Sequence, residues 1–350
     1  MNKISSSGAQ EKANKGKFSR GKNNAITDIK NVKVAHLTLN KDTQDSSGKK
    51  IFLRTGATAV LPYPMEQEKR LFLGSFTLRG KAEMTGYEVT DDFCYLNSPI
   101  VFTNSSNVGI MYDAILSYGF SIGRSEIWPP VVIGINDSYL NDMRESFLEK
   151  KDIIRAFHSA GSGQVEQGSV GIGLGLRAFE WKGGIGTSSR VFAIDQNQYT
   201  CGVLAATNHA NEKSFTQTQS QALSSEDSSG SLILAIGVDV PLVPYQIKQI
   251  VSQTAMSLDP ANTLKNCSDS VVCLLFSTAN EMNMEKESPF FFDFKLFDDP
   301  HTETIIRAIS EAAREAIINS LLKASPVDGK LGRFLKTIPE NELTKQLSGS

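Results

Sequence analysis

A glycine followed by a serine, Gly230-Ser231, is the pair whose types and setting best suit covalent chemistry. The segment before it, NEKSFTQTQSQALSSEDSSG (211–230), is polar and serine-rich and reads as an exposed linker. The segment that starts at Ser231, SLILAIGV, reads as a fully buried strand. Within one chain, the Ser231 hydroxyl can attack the Gly230 carbonyl, where no side chain blocks the approach and strained dihedrals are tolerated. Cleavage there would leave Ser231 with both a hydroxyl and a free α-amine. An α-amine has a pKa of about 7.7–8.0, so it can serve as general base for its own hydroxyl. No histidine is then needed.

Other chemistries find less support. Gly171-Ile172-Gly173-Leu174-Gly175 has the wrong spacing for a dinucleotide fingerprint and does not join a first strand to a helix. No phosphate-binding loop and no G-x-S-x-G elbow occur. His36, His158, His209 and His301 are scattered. Cys94, Cys201, Cys267 and Cys273 form no C-x-x-C pair, and a zinc site needs clustered ligands. Neither a metal nor a cofactor is expected, and buried free thiols point to a reducing, cytoplasmic setting.

These residues need elements to hold them. Strands are predicted at Val32–Leu39, Thr58–Leu61, Ser98–Thr103, Pro130–Ile135, Gly202–Thr207, Ser231–Val238 and Val271–Phe276. Helices are predicted at Asn107–Tyr118, Tyr245–Met256 and Thr304–Lys323, the second opened by Pro244. A hairpin or tight loop is expected around Lys182-Gly183-Gly184. Short apolar strands and helices without regular βαβ alternation indicate a layered α/β or α+β sandwich. Residues 1–24 read as a disordered basic tail, 25–330 as one domain, and 331–350 as a loose C-terminal tail.

The bulk composition is that of an ordinary globular chain: 350 residues, 40% hydrophobic, 21% charged, net charge -2. It carries no basic footprint for nucleic acid, no apolar run long enough for a membrane span and no apolar signal segment at its start.

Ordered segments then resemble the L-aminopeptidase/D-esterase–amidase (DmpA-type) family, which includes the β-peptidyl aminopeptidases. They are ITDIKNVKVAH (26–36), EMTG (83–86), SPIVFTNSSNVG (98–109), PPVVIGINDSYLND (129–142), KGGIGTSSR (182–190), GVLAATNHA (202–210), GSLILAIGVDVP (230–241) and FSTAN (276–280). The resemblance implies an αββα sandwich of N-terminal-nucleophile type, cut between residues 230 and 231 into chains 1–230 and 231–350 that stay together in a cofactor-free homo-oligomer. It matches Ser231 to the nucleophile and Asn208 to a side-chain amide of the oxyanion hole, a suitable donor for developing negative charge. The substrates it implies are short peptides and aminoacyl amides or esters, losing their N-terminal residue through an acyl-enzyme on Ser231.

Two segments depart from the family pattern. Where the family has Ser-Gly-Asp/Glu, this chain has Ser268-Asp269-Ser270. Ser268 matches the family's serine, and the carboxylate is either displaced to Asp269 or replaced by Ser270. A one-residue slip along a strand turns a side chain to the other face. Gly134 and Asn136 stand where the family has a glutamate that recognises the substrate's amine and a tyrosine beside the oxyanion site. These departures leave a non-catalytic or weakly active oligomeric binding protein, and an acyltransferase with the same nucleophile, as alternatives to a hydrolase.

Overall fold

The computed structural model describes residues 16–78, 82–144, 147–178, 180–208, 230–258, 270–284 and 291–343. In chain order the strands and helices are β1 (Lys33–Gln44), β2 (Lys50–Leu61), β3 (Lys69–Leu78), β4 (Glu83–Met84), α1 (Tyr87–Asp92), β5 (Tyr95–Leu96), β6 (Ile100–Asn104), α2 (Val108–Ser121), β7 (Val131–Ile135), α3 (Lys150–His158), β8 (Arg177–Ala178), β9 (Trp181–Lys182), β10 (Gly184–Ile194), β11 (Asn197–Asn208), β12 (Ser231–Val238), α4 (Pro244–Ser257), β13 (Ser270–Asn283), α5 (Thr302–Leu322), β14 (Val327–Asp328) and β15 (Phe334–Leu335).

Two mixed sheets lie face to face. One has the order β1-β2-β6-β7-β4, the other β10-β11-β12-β13-β3-β5. Helices α2 and α3 pack on the first, and α4 and α5 on the second, giving an αββα sandwich. Alternation along β12 explains why its run is apolar throughout. Ile233 and Ala235 join the core between the sheets, and Leu232, Leu234 and Ile236 join the core under α4 and α5. Along α5, Ala308, Ala312 and Ala316 form a stripe of small side chains that lets the helix close on the sheet. Gly186 exploits that approach: a Cβ there would stand 1.9 Å from the Ala316 carbonyl oxygen.

The elements expected from the sequence are present, most of them longer than expected. The loop around Lys182-Gly183-Gly184 is different. The β10–β11 hairpin turns at residues 195–196, and Gly183 is the step between the short strand β9 and the long strand β10. A Cβ at Gly183 would lie 2.2 Å from the Thr207 carbonyl oxygen, so glycine here serves close packing against β11 rather than a hairpin turn.

Both expected tails are partly folded. Ser19 bridges Val191 on the edge strand β10, Phe18 packs edge-on against Phe192, and Arg20 pairs with Glu315 of α5. The segment therefore covers an edge that would otherwise offer unpaired backbone. At the other end β15 pairs with β14, and Leu335, Ile338 and Leu343 are buried. Residues 1–15 and 344–350 lie outside the described residues. Cys94, Cys201 and Cys273 are buried free thiols, and burial pushes the Cys201 and Cys273 thiols up to about 12. Cys267 lies outside the described residues. Among the described residues no helix is long and apolar enough to cross a membrane.

Candidate functional site

Three polar side chains form a row at one end of the second sheet. Asn208, the last residue of β11, is the antiparallel partner of Ser231, the first of β12. Ser231 is in turn the parallel partner of Ser270, the first residue of β13. Directly paired residues share a face of the sheet. Ala206, Ile233 and Val272, two positions along each strand, belong to the core between the sheets. The row therefore faces the interior of the sandwich at its mouth. All three residues are buried, with exposures of 6% for Asn208, 8% for Ser231 and 0% for Ser270. Gly230 is buried too, and its carbonyl accepts from the Ser270 N–H at 3.0 Å.

Asn208 is held at both ends of its amide. Its Oδ1 accepts from the Arg177 N–H at 3.0 Å, and its Nδ2 donates to the Asn136 carbonyl at 2.8 Å. A donor facing one atom and an acceptor facing the other fix which is oxygen and which is nitrogen. The Asn136 contact crosses between the two sheets, because Asn136 directly follows β7. Its side chain closes a local turn by accepting from the Ser138 N–H at 3.0 Å, so its link to the site is through the backbone.

Ser270 Oγ accepts from the Ala82 N–H at 3.3 Å, which ties the start of β4 to the mouth. The register places Ser270 beside Ser231 and gives the adjacent position of β13 no carboxylate. Ser268 and Asp269 lie outside the described residues. Gly134 points elsewhere. A Cβ there would meet Val108 Cγ2 at 3.0 Å and Ser105 Cα at 3.2 Å, on the side of α2. Directly opposite Gly134 in the β4–β7 ladder stands Glu83, an exposed carboxylate.

Two buried charged groups brace the site, and sequence reasoning assigned a role to neither. Lys182 is fully buried and donates from Nζ to the carbonyls of Gly173, Leu176 and Gly183 at 2.6, 2.7 and 2.7 Å. Burial pulls its ammonium down to about 7, and three acceptors matched to three N–H groups oppose that by favouring the charged form. Asp137 follows Asn136 and accepts from Asn141 Nδ2 at 3.1 Å. Burial pushes its carboxyl up to about 6, against bonds from the Thr55, Asn141 and Asn104 side chains that lower it. The available signals were a lysine inside a glycine run and an Asp–Asn pair separated by one helical turn's worth of sequence. Both read equally well as surface turns.

Chemically, the row offers a hydroxyl at a strand start, an amide oriented by two peptide groups and a buried peptide bond before the hydroxyl. The pattern of the family described as Peptidase family S58 matches residues 24–335. The chain is 30% identical to the beta-peptidyl aminopeptidase BapA of Sphingosinicella microcystinivorans, over 92% of this chain and 87% of that protein. Its fold superposes on a Burkholderia sp. beta-aminopeptidase with a TM-score of 0.83 at 28% identity, covering 95% of this chain and 96% of the other. It also superposes on the L-aminopeptidase D-Ala-esterase/amidase of Ochrobactrum anthropi, described as a variant of the Ntn hydrolase fold, with a TM-score of 0.84 at 26% identity and 95% coverage of each chain. With two sheets between helices and these neighbours, the architecture is of the N-terminal-nucleophile type. The chain belongs to peptidase family S58 and is a hydrolase of the aminopeptidase kind.

Proposed function

We propose that the protein cuts itself between Gly230 and Ser231 and then releases N-terminal residues from short peptides, amides or esters with Ser231 as nucleophile. The observation that carries this reading is the register Asn208–Ser231–Ser270, which sets an oriented amide beside a serine hydroxyl at the start of a buried central strand.

In the first reaction Ser231 Oγ adds to the Gly230 carbonyl carbon, and the oxyanion that forms takes a hydrogen bond from Asn208 Nδ2. The C–N bond then breaks, the Ser231 nitrogen takes up the hydroxyl proton, and Gly230 is left as an ester on Oγ. Water hydrolyses that ester to give the Gly230 carboxylate and a free Ser231. In turnover the new α-amine removes the Oγ proton as Oγ adds to the substrate carbonyl, then delivers it to the leaving amine or alcohol. Water finally cleaves the acyl-enzyme. An oriented oxyanion donor of this kind is worth about 2.7–4 kcal/mol of barrier. The reading includes a homo-oligomer, the expectation carried by the family resemblance, which light scattering would measure.

Denaturing electrophoresis and intact mass of the purified protein, beside Ser231→Ala, test the reading. Fragments 1–230 and 231–350 that depend on Ser231, with turnover of aminoacyl amides, are the expected result. An uncut chain without turnover would favour a binding protein of the same fold. The observation favouring that second reading is the uncharged pair Ser270 and Gly134.

A further inference from the structure

The Leu176–Arg177 peptide group is engaged on both sides. Its carbonyl accepts from Lys182 Nζ at 2.7 Å and from the Gly183 N–H at 3.1 Å. Its N–H, on Arg177, donates to Asn208 Oδ1 at 3.0 Å. A charge thus sits at one end of a short chain of hydrogen bonds and the Asn208 amide at the other. Hydrogen bonds in series polarise one another, by about 10–30% per bond in condensed phases, and charge-assisted bonds are the strongest members of such chains. Electron density drawn toward Lys182 makes the Arg177 N–H a better donor. That bond in turn draws density from Asn208 Oδ1 and leaves Nδ2 more acidic. Nδ2 carries two protons. One is on the Asn136 carbonyl, and no described residue takes up the other.

The surroundings of Lys182 fit a fixed charge rather than a titrating base. Its three acceptors are all backbone carbonyls of the tight segment 173–183, and its own N–H donates to the Lys336 carbonyl at 2.8 Å. No carboxylate pairs with it among the described residues, so its charge is spent on peptide dipoles.

We propose that Lys182 is a positioning residue for the oxyanion donor, its ammonium orienting and polarising the Leu176–Arg177 peptide, which orients and polarises the Asn208 amide. This rests on the reading of Asn208 as that donor.

The test is a double-mutant cycle in the full chain with Lys182→Met, Asn208→Ala and both together, with circular dichroism and melting to confirm folding. Lys182→Met should lower kcat by about 10- to 100-fold with KM within about threefold, and Asn208→Ala by about 100- to 1,000-fold. In the double variant the Lys182 effect should shrink to about twofold or less, because both act through one group. A second readout is independent of turnover. In Ser231→Ala protein labelled with 15N-asparagine, the Asn208 side-chain resonance, assigned by its loss in Asn208→Ala, should move to lower proton frequency when Lys182→Met is added. A folded Lys182→Met protein with unchanged resonance, or with a kcat loss that multiplies fully with that of Asn208→Ala, overturns the proposal alone. An Asn208→Ala protein that keeps its kcat overturns the reading beneath it. If Lys182→Met does not fold, Lys182→Gln, which keeps donors but no charge, takes its place. Failure of both to fold assigns Lys182 to folding and overturns the proposal.

Discussion

Asn208 and Ser231 are direct partners across the β11–β12 ladder, and both face the core between the two sheets. Residues 209–229, between them in sequence, lie outside the described residues, yet the ladder alone brings the two side chains to one spot. Any loop joining the strands would leave that relationship intact. The site is therefore a property of the sheet.

If Ser231 is the nucleophile, Ser231→Ala will stay a single chain and lose aminoacyl-amide turnover, while melting close to the parent. The hydroxyl is a small group in a buried position, so the expected change in stability is within about 1 kcal/mol. Intact mass and a turnover assay decide it. Fragments appearing in the alanine variant would rule out Ser231.

If cleavage frees the Ser231 α-amine, Ser270→Asp places a carboxylate beside it. An opposite charge within a few ångströms favours the ammonium, so the amine's pKa should rise by about one unit. Because the amine must be neutral to act as base, the acidic limb of kcat/KM should move to higher pH by the same amount. The substitution also loads a buried position that now accepts from Ala82, so the melting temperature should fall. A pH–rate profile that does not move would separate Ser270 from the amine.

Asp137→Asn addresses stability. The folded carboxyl, pushed up to about 6 by burial, lies above its ordinary 3.8, so the fold favours the protonated acid. The native state then binds more protons than the unfolded state between about pH 4 and 6, and its stability falls as pH rises through that window. The asparagine variant lacks this loss. Its stability relative to the parent should climb from pH 4 to 6 and level off above, by up to about 3 kcal/mol. Urea melts at several pH values measure the difference, and a pH-independent gap would contradict the assignment.

Gly186→Ala should be severe. The added methyl would stand 1.9 Å from the Ala316 carbonyl oxygen and 2.5 Å from the Ser320 nitrogen, both backbone atoms of α5. Moving a helix off its sheet costs about 3 kcal/mol or more. Little soluble protein, or a strongly lowered melting temperature, is the expected outcome.

Ser231 stands out in the sequence because a polar run stops and a buried strand starts there, and the family resemblance is what marks it as the candidate nucleophile. Asn208 was legible as the polar end of an apolar run, but its two anchors were not. Arg177 and Asn136 reach it only after separate segments close around the mouth. Lys182 reads as a turn lysine among glycines, since nothing local announces that three carbonyls will surround it. Glu83 opposite Gly134 is likewise a product of pairing between distant strands. The N-terminal segment misled for another reason. Its anchors, among them Phe18, Ser19, Arg20 and Asn24, lie within a polar composition that dominates any window average.

The order of the second sheet has one more consequence. Reading across it, β10 and β11 precede residue 230, β12 and β13 follow it, and β3 and β5 precede it again. A chain severed at that point would be two polypeptides interleaved in a single ladder, the smaller one gripped on both flanks by the larger. Dilution alone would not part them, since neither piece could leave without dismantling the sheet. The break would then be silent in hydrodynamic measurements and visible only once the protein is denatured.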